Sequence, residues 1–86
     1  HLVNRTFPSA AHMLAEATQL AVRIAANSPL VVQGCKRVMQ FAQEHSVSDG
    51  LKQVALWNAA FLHSDDLMEA MSAFMQKRNP TFRNKL

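Results

Sequence analysis

Four serines each precede a run in which apolar side chains recur at the spacing of an α-helix. They are Ser9, Ser28, Ser46 and Ser64. Serine is among the residues preferred at the N-cap, because its side-chain oxygen accepts a hydrogen bond from a free N–H group of the first turn. Pro29 follows Ser28 at the first helical position, where its missing N–H costs nothing. The sequence therefore predicts an all-α chain of about four helices.

The composition agrees with a helical fold and excludes several other classes. Hydrophobic residues make up 49% and charged residues 17% of the chain, with only two glycines and three prolines. A disordered tail, a collagen-like chain or a loop-rich β fold would have a different balance. The single cysteine excludes a disulfide framework, and no two histidines have the i, i+4 spacing of a zinc site. We expect no metal and, without an apolar run of about 18 residues, no membrane span.

The size of the chain suggests that it is part of something larger. It has 86 residues, begins with His1 rather than Met, and opens with an alternating segment over residues 2–7. This alternation predicts the end of a strand, yet one strand alone has nothing to pair with. A chain this short buries only about 60% of its unfolded surface. We expect further sequence or partner chains to cover the remaining apolar surface.

The net charge of +3 is unevenly distributed. Residues 1–76 carry a net charge of −1, and the last ten residues carry +4. A protein that binds a nucleic-acid duplex normally spreads basic residues over a folded face. We therefore expect no nucleic-acid partner, and the basic tail indicates either a local contact with an anion or a solvated terminus.

Few side chains qualify as catalytic groups. Asp65 and Asp66 are consecutive, so they point about 100° apart on a helix and cannot converge on one bond. Their place in a first turn indicates helix stabilisation instead. Cys35 lies on the predicted inner stripe of the second helix, where a cysteine usually behaves as a small hydrophobic residue. The residues alone predict no catalytic site.

The fourth helix combines an apolar face with a basic end. Leu67, Met71, Phe74 and Met75 form its predicted buried face, and the range 77–78 is placed in its last turn before Asn79-Pro80 stops the helix. Methionines at these positions either fill a core or offer an adaptable surface to a partner. The second possibility supports an alternative function, a free-standing helical protein-interaction module.

Three segments carry a resemblance to a known family. Residues 2–7 read LVNRTF, residues 24–38 read IAANSPLVVQGCKRV, and residues 66–82 read DLMEAMSAFMQKRNPTF. In the same order they resemble the patterns G-L-V-N-x-V/T-F, IAxxSPLAVxGTKRxL and D-x-x-E-A-x-x-A-F-x-E-K-R-x-P-x-F of the crotonase (enoyl-CoA hydratase/isomerase) superfamily. Residues 44–51 and 55–58 are similar to the dienoyl-CoA isomerase branch.

The resemblance covers only the last third of such an enzyme. It implies that residues 1–8 end the core domain as a strand or turn, residues 9–79 form a C-terminal helical cap and trimerisation domain, and residues 80–86 form a basic tail. It also implies an enzyme of α/β crotonase fold that isomerises or hydrates an unsaturated acyl-CoA. This segment would serve as active-site lid and oligomer contact. The catalytic acids and the oxyanion hole belong to the absent core.

Few site residues carry over from the family. The resemblance places Lys77 where a lysine approaches the phosphates of CoA in several relatives. An aromatic residue flanks the adenine of CoA in the hydratase branch, but the matching position is Asn58, so Trp57 or Phe61 would have to replace it. Ordinary helix packing is the alternative interpretation of both aromatic residues.

The resemblance also implies partners and a location. The partners would be an acyl-CoA substrate, the core domain of the same enzyme and two or five further copies in a homotrimer or hexamer. No cofactor is expected apart from the coenzyme A of the substrate. The enzyme would be cytoplasmic in a bacterium and mitochondrial or peroxisomal in a eukaryote.

Overall fold

Four α-helices make up most of the chain. The computed structural model describes residues 2–83, and over that range it contains no strand. The helices are α1 (Ala10–Ala25), α2 (Pro29–Gln43), α3 (Val47–Phe61) and α4 (Asp65–Met75). The predicted all-α chain of about four helices is therefore confirmed. His1 and the last three residues of the tail predicted over residues 80–86 lie outside the described residues.

Each of the four predicted serines begins a helix. In every case the serine side chain accepts a hydrogen bond from the backbone N–H three residues later, with donor–acceptor distances of 3.1–3.3 Å. Such an N-cap stabilises a helix by about 1 kcal/mol. Pro29 is the first residue of α2, as its fixed φ angle favours. The sequence therefore located all four helix N-termini correctly.

The residues before α1 differ from the prediction. Residues 2–7 form no strand, because a strand needs a neighbouring strand to satisfy its backbone N–H and C=O groups and the described residues offer none. The segment instead lies beside α1. The Arg5 guanidinium is 3.6 Å from the Glu16 carboxylate, and the rings of Phe7 and His12 are 5.6 Å apart.

The end of α4 also differs from the prediction. The helix ends at Met75 with Gln76 as C-cap, so Lys77 and Arg78 lie beyond its last turn rather than within it. The physical reason is the backbone of Lys77, which takes a left-handed φ of 53°. That conformation cannot continue an α-helix, so the helix ends before Asn79-Pro80 is reached.

The helices enclose almost no interior of their own. Among residues 2–83, Ala73 is the one buried hydrophobic residue. The radius of gyration is 16.5 Å, whereas a compact domain of this length would have about 12 Å. Much apolar surface is therefore open, as the sequence led us to expect.

Part of the predicted buried face of α4 is exposed in this chain, whereas Leu67 of the same face lines an apolar cavity. Phe74 is 85% exposed and Met75 is 81% exposed, although both were placed on the buried face. The buried residue of α4 is Ala73. None of the helices formed by residues 2–83 has the length and apolar character that crossing a bilayer would require.

Candidate functional site

An apolar cavity of about 290 Å³ lies where α2, α3 and α4 meet. Side chains from all three helices line it, and the tail after α4 contributes one more aromatic ring. The principal apolar residues around it are Val38, Val54, Trp57, Phe61, Leu67 and Phe82. Its position between helices and its apolar lining are typical of small-molecule sites.

Trp57 packs against Gly34 beside this cavity. A Cβ atom placed on Gly34 would lie 2.5 Å from Cζ2 of Trp57, so the indole ring rests directly on the backbone of α2. Gly34 is buried and permits this approach because it has no side chain. The Phe61 ring lies 4.5 Å from the Trp57 ring, tilted by 41°.

The two aromatic candidates are therefore neighbours within a helix contact. The position of Trp57 against Gly34 favours the packing interpretation over adenine binding, although a role in CoA binding stays a prediction for both Trp57 and Phe61. Asn58, the position that matches the family's aromatic residue, also lines the cavity.

Cys35 lines the same cavity but is exposed in this chain. The prediction that Cys35 lies on the inner side of α2 agrees with its place in the cavity lining. It is not buried, because the described residues leave the cavity partly open. Within residues 2–83, no three side chains of His, Cys, Asp or Glu lie together in a way that could hold a metal ion.

A hydrogen bond between side chains closes the polar edge of the cavity. The Ser28 hydroxyl donates to the Asp66 carboxylate while its oxygen accepts from the backbone N–H of Val31 at 3.3 Å. Ser28 is 8% exposed. One serine thus caps α2 and also fixes the first turn of α4, a contact that sequence reasoning missed because the two residues lie 38 positions apart.

A second feature of interest is the turn that follows α4. The N–H of Lys77 donates to the carbonyl of Phe74 at 3.2 Å, and the N–H of Arg78 donates to the carbonyl of Ala73 at 3.0 Å. This pair of bonds is the Schellman motif, in which the left-handed residue is usually glycine. Lys77 occupies that position here, at a cost of about 1 kcal/mol relative to glycine.

Glu69 holds the chain that leaves this turn. Its two carboxylate oxygens accept from the two terminal nitrogens of Arg78, with 3.0 Å between Nη2 and Oε2. Oε1 also accepts from the backbone N–H of Thr81 at 2.8 Å. The hydrogen bonds from Arg78 and then from Thr81 lower the pKa of Glu69 to about 2, and the same pair raises the pKa of Arg78. The carboxylate is therefore charged throughout the neutral range.

The three predicted binding residues lie in two places. Trp57 and Phe61 line the cavity, and Lys77 is not among its lining residues. The tail connects the two places, because Phe82 reaches the cavity after Glu69 has bound Arg78 and Thr81. Sequence reasoning did not select Glu69. An acidic residue on a helix face does not indicate that the chain after the helix folds back and bonds to it.

Comparison with known proteins gives a consistent set of relatives. No protein-family model matches the chain. The mitochondrial Delta(3,5)-Delta(2,4)-dienoyl-CoA isomerase of Dictyostelium discoideum is 48% identical over 86 residues, which is all of this chain and 29% of that protein. The peroxisomal enzyme of the same name from Arabidopsis thaliana is 47% identical over 81 residues, 94% of this chain and 29% of that protein. The 2,3-dehydroadipyl-CoA hydratase of Escherichia coli is 37% identical over 84 residues, 98% of this chain and 32% of that protein.

Solved structures give the same answer. An enoyl-CoA hydratase of Mycobacterium marinum matches with a TM-score of 0.75 at 30% identity, over 84% of this chain and 30% of that one. An enoyl-CoA hydratase of a Polaromonas species matches with a TM-score of 0.77 at 28% identity, over 87% of this chain and 29% of that one.

These relatives show which class of protein the chain is similar to. It is homologous to a helical part of the crotonase-superfamily enzymes, the enoyl-CoA hydratases and isomerases. Within that class, the relatives at 48% and 47% identity are dienoyl-CoA isomerases, so the resemblance to that branch seen in the sequence is confirmed. The chain spans about 29% of the length of these relatives.

Proposed function

We propose that this chain is the C-terminal helical part of an enzyme that acts on unsaturated acyl-CoA thioesters. Isomerisation of a dienoyl-CoA is the first reaction that we propose and hydration of an enoyl-CoA is the second. The observation that carries this proposal is the identity of 48% to a dienoyl-CoA isomerase along the whole chain. That match to an enzyme favours this function over a free-standing interaction module.

The proposed chemistry needs groups from outside this chain. A base removes a proton next to the thioester carbonyl, and hydrogen-bond donors stabilise the enolate oxygen that results. We assign neither role to a residue of this chain. Coenzyme A enters as part of the substrate, and the proposal requires no other cofactor. The isolated chain is therefore expected to be inactive.

The test of the reaction uses the intact protein. With a dienoyl-CoA whose double bonds are not conjugated with the thioester, isomerisation would move both into conjugation and produce a strong near-ultraviolet absorbance. We expect this increase with the intact protein and none with the isolated chain. Consumption of an enoyl-CoA without isomerase activity would favour hydration, and loss of neither substrate would contradict the proposal.

We propose that the chain acts as an active-site lid and as a contact between subunits. Support comes from its open apolar surface, which includes Met39 on α2 as well as Phe74 and Met75 at the end of α4. Such surfaces are rarely left uncovered in a mature protein. The proposed coverings are the core domain and neighbouring copies in a trimer or hexamer. Light scattering of the intact protein tests this, and a monomer would contradict it.

We propose that Lys77 binds a phosphate of CoA. Lys77 is the left-handed residue of the turn after α4. Its ammonium group is a suitable partner for a phosphate. Replacing Lys77 with alanine in the intact enzyme should weaken binding of the CoA thioester by about 1–3 kcal/mol. An unchanged KM would remove Lys77 from the site.

Trp57 and Phe61 are the weaker binding candidates. If they pack the helices rather than flank the adenine, Phe61→Leu should leave KM for the CoA thioester unchanged, and an increase in KM would support binding.

For the location, we propose a mitochondrial or peroxisomal enzyme if the source is a eukaryote, and a cytoplasmic enzyme if it is a bacterium. Its relatives at 48% and 47% identity are named as a mitochondrial and a peroxisomal enzyme.

A further inference from the structure

We propose that Glu69 is a positioning residue for Lys77. Through its paired hydrogen bonds to Arg78, the Glu69 carboxylate holds Lys77 in the left-handed conformation that directs its ammonium group toward an anionic ligand. This inference rests on the proposed function, since the binding of Lys77 to a CoA phosphate is itself a proposal.

The first step is the backbone of Lys77. Its φ of 53° is the one positive φ among the non-glycine residues in the range 2–83. Glycine adopts this conformation without steric cost, whereas a lysine must press its Cβ against the backbone. Unfavourable backbone conformations persist only where the surroundings fix them, and they concentrate at functional sites. A functional role would explain why a lysine occupies this position, and neighbouring residues must stabilise its backbone conformation.

The support comes from the residues on each side of Lys77. Arg78 donates from its Nε to the side-chain oxygen of Gln76 at 2.8 Å, so the two neighbours of Lys77 are joined to each other. Glu69 then fixes Arg78 from α4 with two parallel hydrogen bonds. The fork of an arginine matches the two oxygens of a carboxylate, which gives this contact a defined direction.

The same carboxylate fixes the chain further along. The backbone N–H of Thr81 donates to Oε1 of Glu69, so the four residues after Lys77 are held at two points. Hydrogen bonds therefore restrain the chain at Gln76, Arg78 and Thr81, and we infer that they restrict the dihedral angles of Lys77.

The charges in this turn leave Lys77 available for a ligand. Glu69 forms its ion pair with Arg78, and both of its oxygens are engaged. No carboxylate among residues 2–83 lies within ion-pair distance of Lys77. Glu69 therefore neutralises Arg78 and not Lys77. A binding group held in its bound conformation loses less entropy when the ligand arrives, so the benefit should appear in affinity rather than in the chemical step.

The test is a double-mutant cycle in the intact enzyme. The variants are Glu69→Gln, Lys77→Ala and the combination, with KM and kcat measured for the acyl-CoA substrate and the dissociation constant measured for coenzyme A alone. Glu69→Gln should raise KM and the dissociation constant by about threefold to tenfold and leave kcat within about twofold. In the Lys77→Ala background, the same substitution should have no further effect.

A matched control separates positioning from general loss of charge. Glu44→Gln removes a carboxylate at the end of α2 and should leave all three constants unchanged. If Glu69→Gln lowers the yield of folded enzyme, Arg78→Lys is the variant to measure instead. It keeps the positive charge but loses the planar fork of the guanidinium, and it should also raise KM.

The outcomes distinguish the two proposals. If Lys77→Ala leaves KM and the dissociation constant unchanged, both the phosphate contact and the positioning role are overturned. If Lys77→Ala weakens binding but Glu69→Gln does not, only the positioning role is overturned. An equal effect of Glu69→Gln with and without Lys77 would also overturn it, because Glu69 would then act on the fold rather than through Lys77.

Discussion

The contact between α2 and α3 and the turn at the end of α4 are built on different interactions. In the first, Trp57 rests on the bare backbone of Gly34, and shape alone decides whether the helices can approach. In the second, a charged pair between Glu69 and Arg78 and a set of backbone hydrogen bonds hold a lysine in an unfavourable conformation.

The difference teaches what each region can tolerate. Close packing is sensitive to the addition of a single carbon atom and nearly insensitive to pH. A hydrogen-bonded ion pair at the surface tolerates changes of shape and depends on the charge of its members. The α2–α3 contact therefore suits a fixed framework, and the α4 turn suits the presentation of a charged group.

The largest expected effect concerns the framework. Gly34→Ala in the intact protein should lower the free energy of unfolding by about 1–3 kcal/mol, because the new Cβ collides with the Trp57 ring. Urea unfolding followed by circular dichroism measures this. Gly50→Ala is the matched control, since its Cβ would meet Ala42 at an ordinary 3.7 Å. That control should gain stability, as alanine favours a helix over glycine by about 1 kcal/mol. Equal effects at both glycines would show that packing does not govern the α2–α3 contact.

The next effect concerns Ser28, which links the start of α2 to the first turn of α4. Ser28→Ala removes the cap of α2 and the hydrogen bond to Asp66, and should cost about 1–2 kcal/mol in the same unfolding assay. Ser9→Ala removes a cap whose serine is exposed and should cost less. A larger loss at Ser9 would contradict the assignment of Ser28 as the connection between α2 and α4.

A smaller effect of opposite sign is expected at Lys77. Lys77→Gly should raise the free energy of unfolding by about 1 kcal/mol, because glycine adopts the left-handed conformation without steric cost. Lys77→Ala keeps the Cβ and should bring no such gain. Both variants should lose affinity for coenzyme A if the ammonium group binds it. A glycine variant no more stable than the alanine variant would show that the backbone of Lys77 is not strained.

The smallest effect is the pH dependence of the Glu69–Arg78 pair. The folded pKa of Glu69 is lowered from 4.5 to about 2, so its contribution to stability is fully present above pH 4.5 and is lost as the pH falls toward 2. The difference in urea midpoint between wild type and Glu69→Gln should shrink over that range. Replacing Arg78 with glutamine should reduce the pH dependence and leave only the smaller part that comes from the Thr81 N–H. A difference that stays constant on acidification would argue against a charged pair.

Sequence reasoning worked best where a local rule decides the outcome. The four serine caps and Pro29 each depend on hydrogen bonds or a φ angle within a few residues. The end of α4 was placed too late because proline was taken as the stop signal, whereas the helix ends at Met75, just before the left-handed Lys77. Lysine seldom takes that conformation, so no sequence pattern announced it.

The candidate site was predictable only in part. The family resemblance selected Lys77, Trp57 and Phe61, but it could not show that Trp57 packs on Gly34. It also could not show Glu69 bonded to Arg78 and Thr81, since these contacts join residues nine and twelve positions apart. They form only when the tail turns back along α4, and periodicity on a helix contains no information about that turn.

The amino-acid sequence by itself determined the number of helices, where each one begins and which family the chain resembles. These properties follow from interactions within a few residues and from motifs that are continuous in the chain. The tertiary structure decided which apolar surfaces meet, why a side chain at position 34 would collide with Trp57, and which contacts hold the backbone of Lys77. The physical reason is that those features depend on contacts between residues far apart in sequence, which exist only after the helices and the tail have taken their places.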